Sequence, residues 1–126
     1  MLKKKIIIID DEPDYRDGLF EFLSGDAEVI AFKEPDSFAE MFRAPNDLER
    51  VSLIILDYRF DQYSASDKDI VAYIREDLGY TGNMVLWSLE EKVPHEFSCR
   101  LNAVLPKKLM TLREINNLIS AQKNGK

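Results

Sequence analysis

The segment that decides the fold is KKIIIIDDEPDYRDGLFEFL, residues 4–23. Its four consecutive isoleucines, residues 6–9, are β-branched and show no polar alternation, which is typical of a strand buried on both faces. Pro13 suits the first position of a helix, because the N–H that proline lacks would be unpaired there. The segment therefore predicts a strand and then a helix over residues 13–24, ended by Gly25. The predicted core face of this helix consists of Leu19, Phe20, Phe22 and Leu23.

The same alternation of an apolar strand and an amphipathic helix continues along the chain. Further strands are predicted at residues 28–32, 52–57, 84–88 and 103–106. Helices are predicted at 36–43, with Phe38, Met41 and Phe42 inward, and at 69–78. Pro94 permits only a short helix before the fifth strand, and Thr111 opens a last helix. Alternating strands and helices predict a doubly wound five-stranded parallel α/β sheet.

Length and charge narrow the classes of function. The chain has 126 residues and a net charge of −6, which predicts a single domain, 1–126, and argues against nucleic-acid or anionic-membrane binding. Its single cysteine, Cys99, excludes an internal disulfide framework. The apolar run near the start is too short for a signal peptide, and no stretch is long enough to span a bilayer. We expect a cytoplasmic protein with no nucleic-acid partner and no membrane partner.

Polar residues stand where the predicted strands end. Asp10 and Asp11 follow the first strand, Asp57 closes the third, Ser88 closes the fourth and Lys107 follows the fifth. The carboxyl ends of parallel strands share one edge, so these side chains are expected to converge. Two carboxylates at ~4 Å repel by about 4 kcal/mol at an effective dielectric near ~20, so a cation would stabilise the cluster. Hard oxygen ligands suit Mg²⁺.

The other two residues of this set suit a phosphoryl group. Lys107 offers a positive charge to phosphoryl oxygens, and Ser88 can donate one hydrogen bond. Asp57 is the candidate nucleophile, since carboxylates form aspartyl phosphates. Each residue also has a simpler interpretation: Asp10 or Asp11 as a helix N-cap, Asp57 as a turn residue, Ser88 as a cap and Lys107 as a surface lysine. Their joint occurrence at the strand ends favours the site.

Four segments in order resemble the receiver domain of bacterial two-component response regulators, most of all the single-domain chemotaxis-type receivers. They are IIIIDDEPDYRDGLFEFL, LIILDYR, VLWS and VLPKKL, which begin at residues 6, 53, 85 and 104. The resemblance covers nearly the whole chain and implies the flavodoxin-like (βα)₅ fold. It also implies phosphoryl transfer to Asp57 from a histidine kinase or phosphotransfer protein, with Ser88 and Lys107 holding the phosphoryl group. The implied Mg²⁺ ligands are Asp10 (through water), Asp11, Asp57 and the backbone carbonyl of Arg59.

This resemblance predicts a phosphorylation-dependent switch that is not an enzyme and has no output domain. Its output would be contact with a downstream protein target, made by a monomer or a phosphorylation-linked dimer. The alternative is an atypical pseudo-receiver, a constitutive protein-interaction module. Val104 in place of the family's aromatic residue, Lys108 in place of its proline, and the short fourth helix favour that alternative. A Mg²⁺-dependent phosphatase is disfavoured by Arg59 where a second acid is expected, and an FMN carrier by the acidic first loop.

Overall fold

The computed structural model describes residues 4–10, 12–25, 27–56, 70–88 and 101–106, and its centre is a five-stranded sheet. The strands are β1 (Lys4–Ile9), β2 (Ala27–Phe32), β3 (Val51–Leu56), β4 (Asn83–Ser88) and β5 (Ala103–Pro106). They are hydrogen-bonded in the order β2-β1-β3-β4-β5, and every neighbouring pair is parallel. The predicted doubly wound, flavodoxin-like α/β fold is confirmed.

Three helices and one short 3₁₀ turn connect the described strands. They are α1 (Pro13–Leu23), α2 (Pro35–Met41), the 3₁₀ helix Pro45–Leu48, and α3, whose α-helical Ile70–Ala72 continues as a π-helical turn, Tyr73–Asp77. The helices predicted at 13–24, 36–43 and 69–78 are confirmed with small shifts at their ends, whereas the 3₁₀ and π-helical turns were not predicted. The predicted short fourth helix and the last helix lie outside the described residues.

The four isoleucines of β1 explain why helices cover both faces of the sheet. Ile6 and Ile8 belong to one apolar cluster, which includes Leu19 and Leu23 of α1. Ile7 and Ile9 belong to a second cluster, which contains residues of α2 and α3. All four are at most 1 % exposed. Successive side chains of a strand point to opposite faces, so an uninterrupted apolar run needs apolar cover on each of them.

Three predicted core residues are exposed instead. Phe20 is 42 % exposed, Phe22 47 % and Met41 58 %, so their assignment to the core is wrong. In α1 the side chains that reach the sheet are Tyr15, Leu19 and Leu23, spaced four residues apart. Phe20 and Phe22 each lie one residue from that stripe, on opposite sides of it, because each residue turns the helix by about 100°.

A left-handed glycine turns the chain from α3 into β4. Gly79 has φ of 66°, a conformation that costs an L-residue with a side chain about 1–2 kcal/mol. The amide of Leu78 donates to the Tyr73 carbonyl at 3.0 Å, and the amide of Tyr80 donates to the Ile74 carbonyl, also at 3.0 Å. These bonds close the end of α3 and deliver Tyr80 into the core.

Tyr80 ties the amino ends of β3 and β4 together. This side chain is 6 % exposed, and its hydroxyl shares its single proton between the Val51 carbonyl at 3.1 Å and the Asn83 carbonyl at 3.2 Å. Burial raises the pKa of the Tyr80 hydroxyl well above its usual value, and the nearby Arg75 guanidinium lowers it by a smaller amount. The hydroxyl therefore stays protonated and remains a donor.

Candidate functional site at the carboxyl edge of the sheet

The strand order reverses between β1 and β3. β1 lies between β2 and β3, so the chain leaves β1 toward one side for β2 and crosses to the other side for β3. In open α/β sheets, ligands bind outside the carboxyl ends of the strands at such a reversal of order. The paired register of β1 and β3 ends at Ile9 and Leu56, and the next residues in the sequence are Asp10 and Asp57.

Asp10 is a buried carboxylate at this reversal. It is 2 % exposed, and its amide donates to the Phe32 carbonyl at 3.0 Å, which extends the pairing of β1 with β2 by one residue. Its Oδ1 accepts the amide of Glu12 at 2.8 Å. A buried carboxylate is costly unless hydrogen bonds, a paired charge or a metal compensate it. The position and the hard oxygen donor therefore fit a divalent cation at this edge.

Asp10 does not cap α1. The N-cap residue is Glu12, which has an extended backbone and makes no side-chain capping bond. The carboxylate of Asp10 instead accepts the amide of Glu12 itself, two residues farther along the chain. Pro13 occupies the first turn of the helix, as predicted. The alternative interpretation of Asp10 as an N-cap is therefore wrong.

Arg16 brings a positive charge to the same strand end. Its Nη1 donates to the backbone carbonyl of Asp10 at 3.3 Å, and its Nε lies 3.5 Å from Oδ1 of Asp17. The first contact joins the second turn of α1 to the end of β1. No spacing pattern in the sequence identifies Arg16, because its side chain reaches a backbone carbonyl six residues earlier.

An aromatic pair joins α1 to the end of β4. Tyr15 and Trp87 meet edge to face, with ring centroids 5.5 Å apart and ring planes at 90°. Trp87 is 4 % exposed, and it directly precedes Ser88 in the sequence. The signal that identifies Tyr15 is its spacing of four residues from Leu19. This pair places a fluorescent side chain beside the candidate site.

The structure places some of the predicted site residues and leaves others outside the described part. Asp10 lies at the end of β1, and the backbone of Ser88 ends β4, paired with Pro106 of β5. The residue after Pro106 in the sequence is Lys107. Four predicted site residues lie outside the described residues: Asp11, Asp57, Arg59 and Lys107. Within the described ranges no three acidic, histidine or cysteine side chains come together as a metal cluster.

None of the helices in the described ranges combines the length and the apolar character that crossing a bilayer requires.

Several solved structures that resemble this chain are receiver domains or response regulators. A receiver domain protein from Clostridium thermocellum superimposes with a TM-score of 0.74 at 18 % identity, covering 96 % of this chain and 94 % of its own. The non-phosphorylated HemR receiver domain from Leptospira biflexa gives 0.72 at 17 %, covering 94 % and 95 %. The regulator TrrA from Thermotoga maritima, in complex with Mg²⁺-BeF, gives 0.68 at 17 %, covering 91 % and 98 %.

The sequence itself matches no family model and no curated protein. The structural likeness confirms the predicted resemblance at the level of the fold: this chain has the receiver-domain fold.

Proposed function

We propose that this protein is a phosphorylation-dependent switch of a two-component or phosphorelay system. In this proposal Asp57 accepts a phosphoryl group from a histidine kinase or phosphotransfer protein in a Mg²⁺-dependent reaction. The phosphorylated chain then acts through contact with a downstream protein target.

The observation that carries the proposal is the position of Asp10. A carboxylate that is 2 % exposed lies at the carboxyl end of β1, beside the reversal of strand order. In a sheet of this topology that is where ligands bind, and a buried anion there favours a cation. In the proposal Asp57 acts beside Asp10, because the last paired residues of β1 and β3 immediately precede Asp10 and Asp57 in the sequence.

The donor set suits Mg²⁺. Asp10, Asp11 and Asp57 supply carboxylate oxygens and Arg59 a backbone carbonyl, all of them hard ligands, and Mg²⁺ is commonly bound through one or two carboxylates together with phosphate oxygens. When bound, the ion would neutralise charge on the phosphoryl group and on the carboxylates around it. In this role Asp10 acts through water, held in orientation by the amide of Glu12 at 2.8 Å.

The protein's part in the reaction is positioning and charge compensation. A carboxylate oxygen of Asp57 bonds to phosphorus as the phosphorus–nitrogen bond of phosphohistidine breaks, and the bonding pair returns to the imidazole nitrogen, which takes up a proton. Lys107 offsets negative charge on the transferred oxygens, and Ser88 donates one hydrogen bond. The chain turns over no substrate of its own, so it is a phospho-acceptor rather than an enzyme.

The product adds about −1.5 to −2 charge at the carboxyl edge. In the proposal Ser88 and Lys107 respond to this charge and change the surface that a partner contacts. The active form is a monomer or a phosphorylation-linked dimer, and its output is a protein contact.

The test is incubation with Mg²⁺ and acetyl phosphate, followed by intact mass measurement. We expect the wild type to gain one phosphoryl group and Asp57→Asn to gain none. The matched control is Asp47→Asn, because Asp47 lies in the 3₁₀ helix before β3, and its Oδ2 accepts the amides of Arg43 and Ala44. The control should gain the phosphoryl group. A wild type that stays unlabelled would support the pseudo-receiver, the constitutive interaction module, instead.

A further inference from the structure

β5 is held on the sheet by a small number of bonds. It is four residues long, pairs with β4, and ends the described strand order. Its last residue, Pro106, has no backbone N–H and cannot donate to the ladder. A strand this short needs an additional device to fix its register, because a slip of one residue sends every side chain to the opposite face.

Asn102, the residue before β5, supplies such a device. Its amide N–H donates to the Met84 carbonyl at 2.8 Å, and its side-chain Oδ1 accepts the Met84 N–H at 2.8 Å. The side chain thus takes the place of a backbone acceptor opposite a β4 residue that is fully buried. These two bonds allow one alignment of Asn102 with Met84 and therefore one register for β5.

Arg75 holds the Asn102 side chain in this orientation. Its Nη2 donates to the same Oδ1 at 3.0 Å, while its Nη1 donates to the carbonyls of Tyr80 at 2.9 Å and Gly82 at 2.8 Å. The guanidinium carbon also lies 5.7 Å from the centre of the Tyr80 ring. Since both partners of Oδ1 are donors, the orientation of the amide is fixed, and α3, the turn before β4 and the start of β5 form one unit.

We infer that Asn102 is a positioning residue for phosphoryl transfer, acting by setting the register of β5. Lys107 is the residue after β5, and Pro106 pairs with Ser88, so the alignment at Asn102 governs where both phosphoryl-holding residues stand relative to each other. This inference rests on the proposed function. It predicts that a change at the amino end of β5 alters chemistry at its carboxyl end.

The test compares phosphorylation rates and Mg²⁺ affinity in four proteins. Asn102→Ala removes the acceptor and should slow labelling by acetyl phosphate by roughly 10–100-fold, since a misplacement of about 1 Å can cost ~10²-fold. Its Mg²⁺ affinity, followed by Trp87 fluorescence, should stay at the wild-type value, because none of the implied ligands lies on β5. Asn102→Asp keeps the acceptor for both donors and should restore the rate.

Tyr80→Phe is the control for general destabilisation. It loses the hydroxyl bonds to Val51 and Asn83 at the same edge but leaves the Asn102 bonds in place, so its labelling rate should match the wild type. If Asn102→Ala does not fold, Asn102→Gln replaces it, because glutamine keeps the amide but moves its oxygen by one methylene. We expect slow labelling there too.

Two failures are distinguishable. If the wild type takes up phosphoryl and folded Asn102→Ala, or Asn102→Gln in its place, does so at the same rate, the positioning role is overturned while the proposed function stands. The role is also overturned if Tyr80→Phe slows labelling as much as Asn102→Ala. A wild type that takes up no phosphoryl overturns the proposed function itself, and the inference with it.

Discussion

The two edges of this sheet carry different kinds of polar groups. At the amino edge, Arg75, Tyr80 and Asn102 form a polar network whose donors meet carbonyl or amide oxygens of the chain. At the carboxyl edge, Asp10 brings a negative charge into a buried position, and in the sequence Asp11 follows the same strand and Asp57 follows β3. In the described residues, hydrogen bonds thus fix the strands at one edge, and a buried carboxylate lies at the other.

Among substitutions at the two edges, Asp10→Asn should have the largest effect, a loss of Mg²⁺ affinity at the carboxyl edge. The variant keeps an acceptor for the Glu12 amide and removes the charge. We expect Mg²⁺ affinity, measured by titration of Trp87 fluorescence, to fall by roughly 10–100-fold, the cost typical of losing a residue that orients a metal's shell. The free energy of unfolding in urea without Mg²⁺ should not fall, because the variant removes a buried charge and keeps the acceptor for the Glu12 amide. Unchanged Mg²⁺ affinity would contradict the proposal that Asp10 belongs to the Mg²⁺ site.

At the amino edge, Gly82→Ala should lower stability and leave Mg²⁺ affinity unchanged, the opposite of the result expected for Asp10→Asn. A Cβ at position 82 would overlap the ring and hydroxyl of Tyr80. Displacing that ring breaks its bonds to the β3 and β4 carbonyls, so the free energy of unfolding should fall by about 1–3 kcal/mol, as in other overpacked cores. Mg²⁺ affinity of the folded fraction should be unchanged.

Gly18→Ala is the matched control for this variant. Gly18 lies on the exposed side of α1, with nothing within 4 Å of an added Cβ. Alanine should there raise the free energy of unfolding by about 0.5–1 kcal/mol, because it is the better helix former. Equal destabilisation by both substitutions in urea titrations would contradict the role given to Tyr80.

Much of the fold could be predicted because its signals are local. The isoleucine run of β1 and the proline that opens α1 each act over a few residues, and both elements are where the sequence predicts them. Phe20 and Phe22 were misplaced because being apolar does not fix a position on a helix, whereas the spacing of Tyr15, Leu19 and Leu23 does. The π-helical turn of α3 has no comparable local signature.

The polar residues at the two edges divide in the same way. Asp10 could be found because a charged residue directly after an apolar strand marks a strand end. Arg75 and Asn102 could not, since the bond between them joins residues 27 positions apart, and the bond from Met84 to Asn102 joins residues 18 apart. Such contacts form only when the tertiary structure brings the groups together, and no residue spacing in the sequence predicts them.

Alkaline pH should weaken the amino edge through Tyr80. Its pKa is raised by burial, so above about pH 10 an unfolded chain loses the proton while the folded chain keeps it. Stability is therefore fully present below that pH and declines above it, by up to about 1.4 kcal/mol per pH unit. Urea unfolding at about pH 8 and about pH 11 should show a steeper decline for the wild type than for Tyr80→Phe. Equal declines would exclude Tyr80 as the cause.

The smallest expected effect concerns the aromatic pair that stabilises the carboxyl edge. Tyr15→Leu keeps apolar cover over Trp87 but removes the edge-to-face contact, so the free energy of unfolding should fall by about 0.5–1.5 kcal/mol. Phe20→Leu, at an exposed position of the same helix, should change it by less than about 0.5 kcal/mol. Unfolding should be followed by far-ultraviolet circular dichroism and not by Trp87 fluorescence, because the substitution changes the environment of Trp87. If Tyr15→Leu also leaves Mg²⁺ affinity intact, stability at this edge comes from the ring pair and ligand binding from the carboxylates, two separable sets of residues.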